Sequence, residues 1–352
     1  MDNNANKDLN LKLMCKLLFR SMGYTSHYEI KLRNKSYINS YRAHDVSDID
    51  VFGYFFNRDL SIIKIGAECK SGESSALDEF YKFLGVSKYY GLDKAYLFKT
   101  KIHQNARQIA LDNKFRTLTE AELRKMLIGF DFDVDKAVKV ESAKYFRQTK
   151  CLSAFKIKND KLIDYISLDF WNKENWKNIH NLTHILKNSE QQPNIFNEVT
   201  IAEKYVYYYV AELFCFTILQ AVSDAIILNY ADFDSAFTNC LYGGAEALNE
   251  KRRIHDAVNI ATQQAAMFDA EWQADLLNIS ARFAQNTRAA SQIPQLIQEI
   301  YEGSFYDDKV KIDMRLLKNY PDLTRKFTQD LFHFLQKNCY LNASIYSDFM
   351  EL

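Results

Sequence analysis

A chain of 352 residues, 47% hydrophobic and 26% charged, is long enough to bury two cores and is not a disordered chain. Its 45 basic and 45 acidic side chains cancel, yet residues 1–130 hold 21 Lys and Arg against 15 Asp and Glu, a modest basic balance compatible with a polyanionic partner. The six cysteines are dispersed, with no C-x-x-C pair and no His at zinc spacing. They argue against a disulfide scaffold or structural zinc and for a reducing, cytoplasmic setting, and the polar start MDNNANKDLN has no signal-peptide core.

In chain order, KDLNLKLMCKLLFRSMGY has Leu9, Leu13, Leu17 and Leu18 at helical spacing and stops at Gly23. HYEIKLR alternates as a strand does. VSDIDVFGYFF and LSIIKIGAECK are two β-rich runs separated by Asn57, Arg58 and Asp59, a hairpin signal. The helix SALDEFYKFLGVSKYYG follows, then strand KAYLFKT, helix HQNARQIALDNK, strand FRTLT and helix EAELRKMLIGF with Thr119 as N-cap. The predicted order is αβββαβαβα, and helices between the later strands imply crossovers and a mixed sheet.

Beyond residue 130 the texture changes. Residues 131–197 read as a connecting region with a hairpin around Asn159-Asp160, and residues 198–352 as a helical domain for oligomerisation, target or partner binding. The run 205–228 approaches membrane length, but Glu212, Gln220 and Asp224 interrupt it and no basic flanks accompany it. It reads as a buried helix, and no membrane partner is expected.

The hairpin carries the chemistry. In an antiparallel pair the numbers of facing residues have a constant sum, here 117 or 118 for a turn near Arg58-Asp59. At 118, Asp48, Asp50, Glu68 and Lys70 share one face, with cross-strand Cβ atoms about 4.5–5.5 Å apart. Three clustered carboxylates repel one another unless positive charge sits among them. Lys70 supplies one charge, and a divalent cation such as magnesium, which takes oxygen ligands, is the natural other. The bland alternative is the solvated face of an ordinary sheet.

Asp50, seventeen intervening residues, then Glu68-Cys69-Lys70 in an αβββαβ setting resembles the PD-(D/E)xK nuclease superfamily, over about residues 7–127. The resemblance implies a restriction-endonuclease-like domain at 1–130. Its catalytic residues would be Asp50, Glu68 and Lys70, with Mg2+ or Mn2+ on Asp50, Glu68 and the Cys69 backbone carbonyl, and Lys70 assisting the attacking water. Glu29 matches the extra acid many members carry, and Asp48 is a supporting candidate. Ile49 stands where the motif has Pro, and Tyr89 and Tyr90 lack the Gln of the exonuclease-like branch, which favours an endonuclease. The implied partner is nucleic acid, DNA over RNA, in restriction or anti-phage defence, with a homo-oligomer or protein partner through the helical domain. The alternative from another class is a non-catalytic nuclease-like module of a larger nucleic-acid-handling complex.

Lesser candidates are Arg33, Lys35 and Arg42 for a nucleic-acid backbone, His27 and His44 as phosphate contacts or surface histidines, and Lys251-Arg252-Arg253 as a basic patch. Cys69 reads as a small strand residue rather than a nucleophile, and Gly243-Gly244 has no phosphate-loop continuation.

Overall fold

The computed structural model describes residues 3–33, 45–72, 74–187, 196, 198–263, 268, 270–306, 309–310, 312, 314–339 and 342–350. Two compact units emerge. The first comprises Met1–Phe55, Ile62–Lys150 and Ile163–Asn172, and the second Phe56–Ser61, Cys151–Leu162 and Lys173–Leu352.

The first unit begins with α1 (Asn3–Ser21), which ends where Gly23 adopts the left-handed conformation an L side chain resists. Strands β1 (Thr25–Arg33), β2 (Asp45–Phe56) and β3 (Ile62–Lys70) follow, then α2 (Ala76–Tyr90), β4 (Lys94–Lys99), α3 (Gln104–Asp112), β5 (Phe115–Thr119) and α4 (Glu120–Gly129). The strands lie in the order β1-β2-β3-β4-β5, antiparallel between β1 and β2 and parallel from β3 to β5. The protein is therefore α/β with a five-stranded mixed sheet, in the element order the sequence suggests. Leu11, Met14, Cys15, Leu18 and Phe19 of α1 pack with Val51, Ile65, Ala67 and Cys69 of the sheet, and this apolar burial fixes helix against strands. Thr119 and Glu122 close a reciprocal capping box at α4.

The boundary expected near residue 130 moves. Residues 134–158 are not connecting structure but one helix, α5 (Val134–Lys158), and its first part belongs to the sheet unit. Val134, Ala137 and Val138 pack on the core at helical spacing, and the next position of that stripe is Glu141, fully buried. An acid in an apolar stripe hides the period. Glu141 earns its place through Tyr28 Oη at 3.1 Å, Arg20 Nη1 at 3.4 Å and Lys16 Nζ at 3.6 Å.

The hairpin expected at Asn159-Asp160 is also absent. Asn159 Oδ1 accepts from the Leu162 N–H at 2.9 Å and caps the short helix α6 (Asp160–Asp164), because Asn favours helix caps as readily as turns. Residues 165–172 then continue as π and 3-10 turns. The Asn172 amide accepts from the Arg33 N–H at 2.8 Å and donates to Lys31 O at 2.9 Å, so a side chain satisfies the outer edge of β1.

The second unit is helical, apart from a two-residue strand pair (β6, Phe305–Tyr306; β7, Lys309–Val310). Its longest helix, α8 (Ile201–Asn229), starts at a Thr200/Glu203 capping box and is buried from Tyr205 to Ser223. It contacts α7 (Asn175–Lys187), α9 (Phe233–Tyr242), α11 (Gln273–Gln285), α13 (Ile293–Gly303) and α15 (Asp322–Cys339). By length and composition α8 could cross a membrane, but 83% of its apolar window is buried inside the structure. Gly243 and Gly244 end α9 and begin α10 (Ala245–Thr262), and Lys251 lies 4.0 Å over the Trp176 ring.

Candidate functional site

The turn between β2 and β3 closes with the Asn57 N–H donating to Ser61 O at 2.8 Å, a pair whose numbers give the expected sum of 118. Asp50 lies near the middle of β2 and Glu68-Cys69-Lys70 at the end of β3. Lys70 Nζ is 2.8 Å from Glu68 Oε1 and 3.6 Å from Asp50 Oδ2. Asp50 is 2% exposed, and its Oδ2 also accepts from the Cys69 N–H at 2.8 Å. That amide belongs to an inner strand, where a neighbouring strand's carbonyl would ordinarily take it. The side chain of Asp50 is thus bound to the motif's own backbone.

Helix α1 adds a residue the sequence reading passed over. Lys12 Nζ lies 2.8 Å from Asp50 Oδ1 and 2.8 Å from Glu29 Oε1. Glu29 stands opposite Asp50 in the β1–β2 pairing, between Tyr28↔Val51 and Ile30↔Ile49. Its φ of 55° is costly for a non-glycine residue inside a strand, on the order of 1–3 kcal/mol. Asp48 pairs with Lys31 in the same register and acts on Glu68 and Lys70 through its charge.

A signal for Lys12 was present in the sequence. Asp8, Lys12, Lys16 and Arg20 recur every four residues along α1, and from Leu11 to Phe19 the side chains between them are all apolar. Asp8 Oδ1 accepts from the Ser71 N–H at 2.5 Å, Lys12 meets Glu29 and Asp50, and Lys16 and Arg20 meet Glu141. Every member of the line ties α1 to the sheet, to the residue that follows β3, or to α5. Lys99 was missed as well. It pairs with Lys70 across the parallel β3–β4 ladder and donates to Gly72 O at 2.9 Å and Ser74 Oγ at 3.1 Å, holding the segment that follows the motif.

The charges respond to one another. Burial, then the Asp50 charge, raise the Glu68 carboxyl to about 7, although Lys70 pulls it down. Burial opposes the charged forms of Lys12 and Lys70, but the surrounding carboxylates outweigh it, so both are held above the ordinary lysine value. Burial pushes the Cys69 thiol well up, which removes it as a nucleophile at neutral pH.

Other sequence candidates fall away from this centre. The Arg33 guanidinium is engaged with Asp169 Oδ1 at 2.9 Å. His27, expected at the surface or on a phosphate, is 3% exposed, because its ring packs between Tyr54 and Trp171. Lys35, Arg42 and His44 lie outside the described residues.

Among the described residues no three His, Cys, Asp or Glu side chains form a metal cage; the oxygen donors brought together here are the Asp50 and Glu68 carboxylates, to which the resemblance would add the Cys69 carbonyl. That sparse, all-oxygen set suits magnesium or manganese, which keep several waters. The balance of charge fits too. After burial, the Asp50 charge is what holds the Glu68 carboxyl up, and a cation between the two carboxylates would relieve that repulsion. Compared with models of known protein families, with curated proteins and with solved structures, the chain matches none.

Proposed function

We propose that the first unit is a restriction-endonuclease-like domain of the PD-(D/E)xK kind and that the protein is a divalent-metal-dependent nuclease, a DNA endonuclease acting in restriction or anti-phage defence. The observation that carries this reading is the convergence of Asp50, Glu68 and Lys70, with Lys70 Nζ 2.8 Å from one carboxylate and 3.6 Å from the other. A surface ion pair does not need a buried acid and a half-buried one gathered on the same lysine. The defence role and the preference for DNA rest on the resemblance of the motif.

Asp50, Glu68 and the Cys69 carbonyl would hold Mg2+ or Mn2+, which supplies polarisation of a phosphoryl oxygen and acidification of a water. Lys70 keeps its proton, so it serves as a donor that orients the water and stabilises negative charge growing on the phosphate, and not as the base. Glu68, poised near neutrality by burial and by Asp50, can hold and give up a proton within the same cluster. Asp50 is fixed by the Cys69 N–H and Lys12, so its carboxylate is oriented before any ligand arrives.

The test is incubation of the full chain with plasmid, linear DNA and RNA in magnesium, manganese or EDTA. Cleavage is expected with metal only, and D50N, E68Q and K70M should each lose it while remaining folded. Cleavage that survives all three, or that proceeds in EDTA, overturns the reading. A folded wild type that binds manganese yet cuts none of the substrates favours the non-catalytic module.

A further inference from the structure

We propose that Lys12 is the resident cation of this centre. Its ammonium fills the seat between Glu29 and Asp50, so the chain takes one divalent ion, on Asp50 and Glu68, and not two. The inference rests on the metal reading above and concerns how many ions that site accepts.

Two independent observations carry it. First, Lys12 Nζ sits at 2.8 Å from both Glu29 Oε1 and Asp50 Oδ1, the bridging place a second hard cation would occupy between two facing carboxylates. Second, the pairing of β1 with β2 sets Glu29 across from Asp50, and Glu29 holds a left-handed φ of 55° there. Backbone strain of that kind persists only where surrounding contacts over-determine it, and the Lys12 ion pair is the contact in view.

Lys12 is held in place by its helix. Leu11, Leu13, Met14 and Cys15, all within one turn of it, are buried in the sheet unit, so the ammonium is delivered by a packed element and not by a free surface chain. Asp8, one turn before, binds the Ser71 N–H, and Lys16, one turn after, is 2% exposed beside Glu141. Removing the Lys12 charge should therefore open a seat between Glu29 and Asp50 without moving the helix.

The experiment counts manganese ions bound per chain, by electron paramagnetic resonance of free Mn2+ during titration of the full-length protein. Wild type is expected to bind one ion, K12M two, and K12R one. K12M combined with E29Q is expected to return to one, because Glu29 is the second ion's ligand. The same titrations read by thermal melting should show a larger Mn2+-induced rise in K12M than in wild type. Two ions on wild type, or one ion on both wild type and K12M, would overturn the assignment while leaving the metal reading intact. No ion on any of the four proteins would overturn both. If K12M fails to fold, K12Q is titrated in its place with the same expectation.

Discussion

The helices α1 and α8 each lie in the core of their own unit, and they are built on opposite plans. Helix α1 carries a charged line, Asp8, Lys12, Lys16 and Arg20, at four-residue spacing, and every member meets a partner on another element. Helix α8 is buried on all sides by aromatic and aliphatic side chains, and its acid Glu212 sits fully buried among them. Burying a charge costs several kcal/mol unless it is paired and hydrogen-bonded. Helix α1 turns its charged line toward partners and buries Lys16 outright beside Glu141, whereas α8 is held chiefly by apolar burial. The sheet unit gathers its charges into a line that reaches Asp50, and in the helical unit apolar packing dominates around single buried acids such as Glu203 and Glu212.

That contrast can be broken at several points. The largest stability effect is expected at Glu141, the buried anchor of the charged line. E141A leaves Lys16 and Arg20 without their acid and should cost about 3–5 kcal/mol in urea unfolding. L213A in α8 removes a fully buried side chain and should cost about 2–5 kcal/mol, with the number and affinity of bound Mn2+ unchanged. If L213A altered metal binding, the separation of roles between the two helices would fail.

Glu68 gives the next effect. Its folded carboxyl titrates at about 7 and its unfolded one near 4.5, so the unfolded chain gives up the proton first as pH rises. Stability should fall across that window by up to about 3 kcal/mol and level off above pH 7, as chemical denaturation at stepped pH would show. E68Q should remove the fall. The same proton competes with a metal, so Mn2+ binding to wild type should tighten from pH 5.5 to 7 and then plateau. The smallest effect is expected from T119A, which breaks the α4 capping box at a cost of about 1 kcal/mol and should leave the centre untouched.

Much of the sheet unit was legible in the sequence because its signals are local. Leu9, Leu13 and Leu17 give α1 its period, Thr119 announces α4, and Asn57-Arg58-Asp59 sets a hairpin whose arithmetic brings Asp50 toward Glu68. What was hidden depends on long-range pairing. The four-residue line along α1 does not say what Lys12 meets until the sheet sets Glu29 and Asp50 beside it, and Glu141 disguises the start of α5 because an acid occupies a core position. Asn159 was misread because one side-chain amide serves a turn and a helix cap equally well. His27 reads as polar and exposed, but it lies under Trp171, more than a hundred residues away in sequence.

The most direct test of the centre is a crystal of the full-length protein grown with Mn2+ and measured for anomalous scattering. One peak is expected within coordination distance of Asp50, Glu68 and the Cys69 carbonyl oxygen, with Lys12 still bridging Glu29 and Asp50. A map with no peak at these residues, or with the manganese bound elsewhere in the chain, would contradict the account.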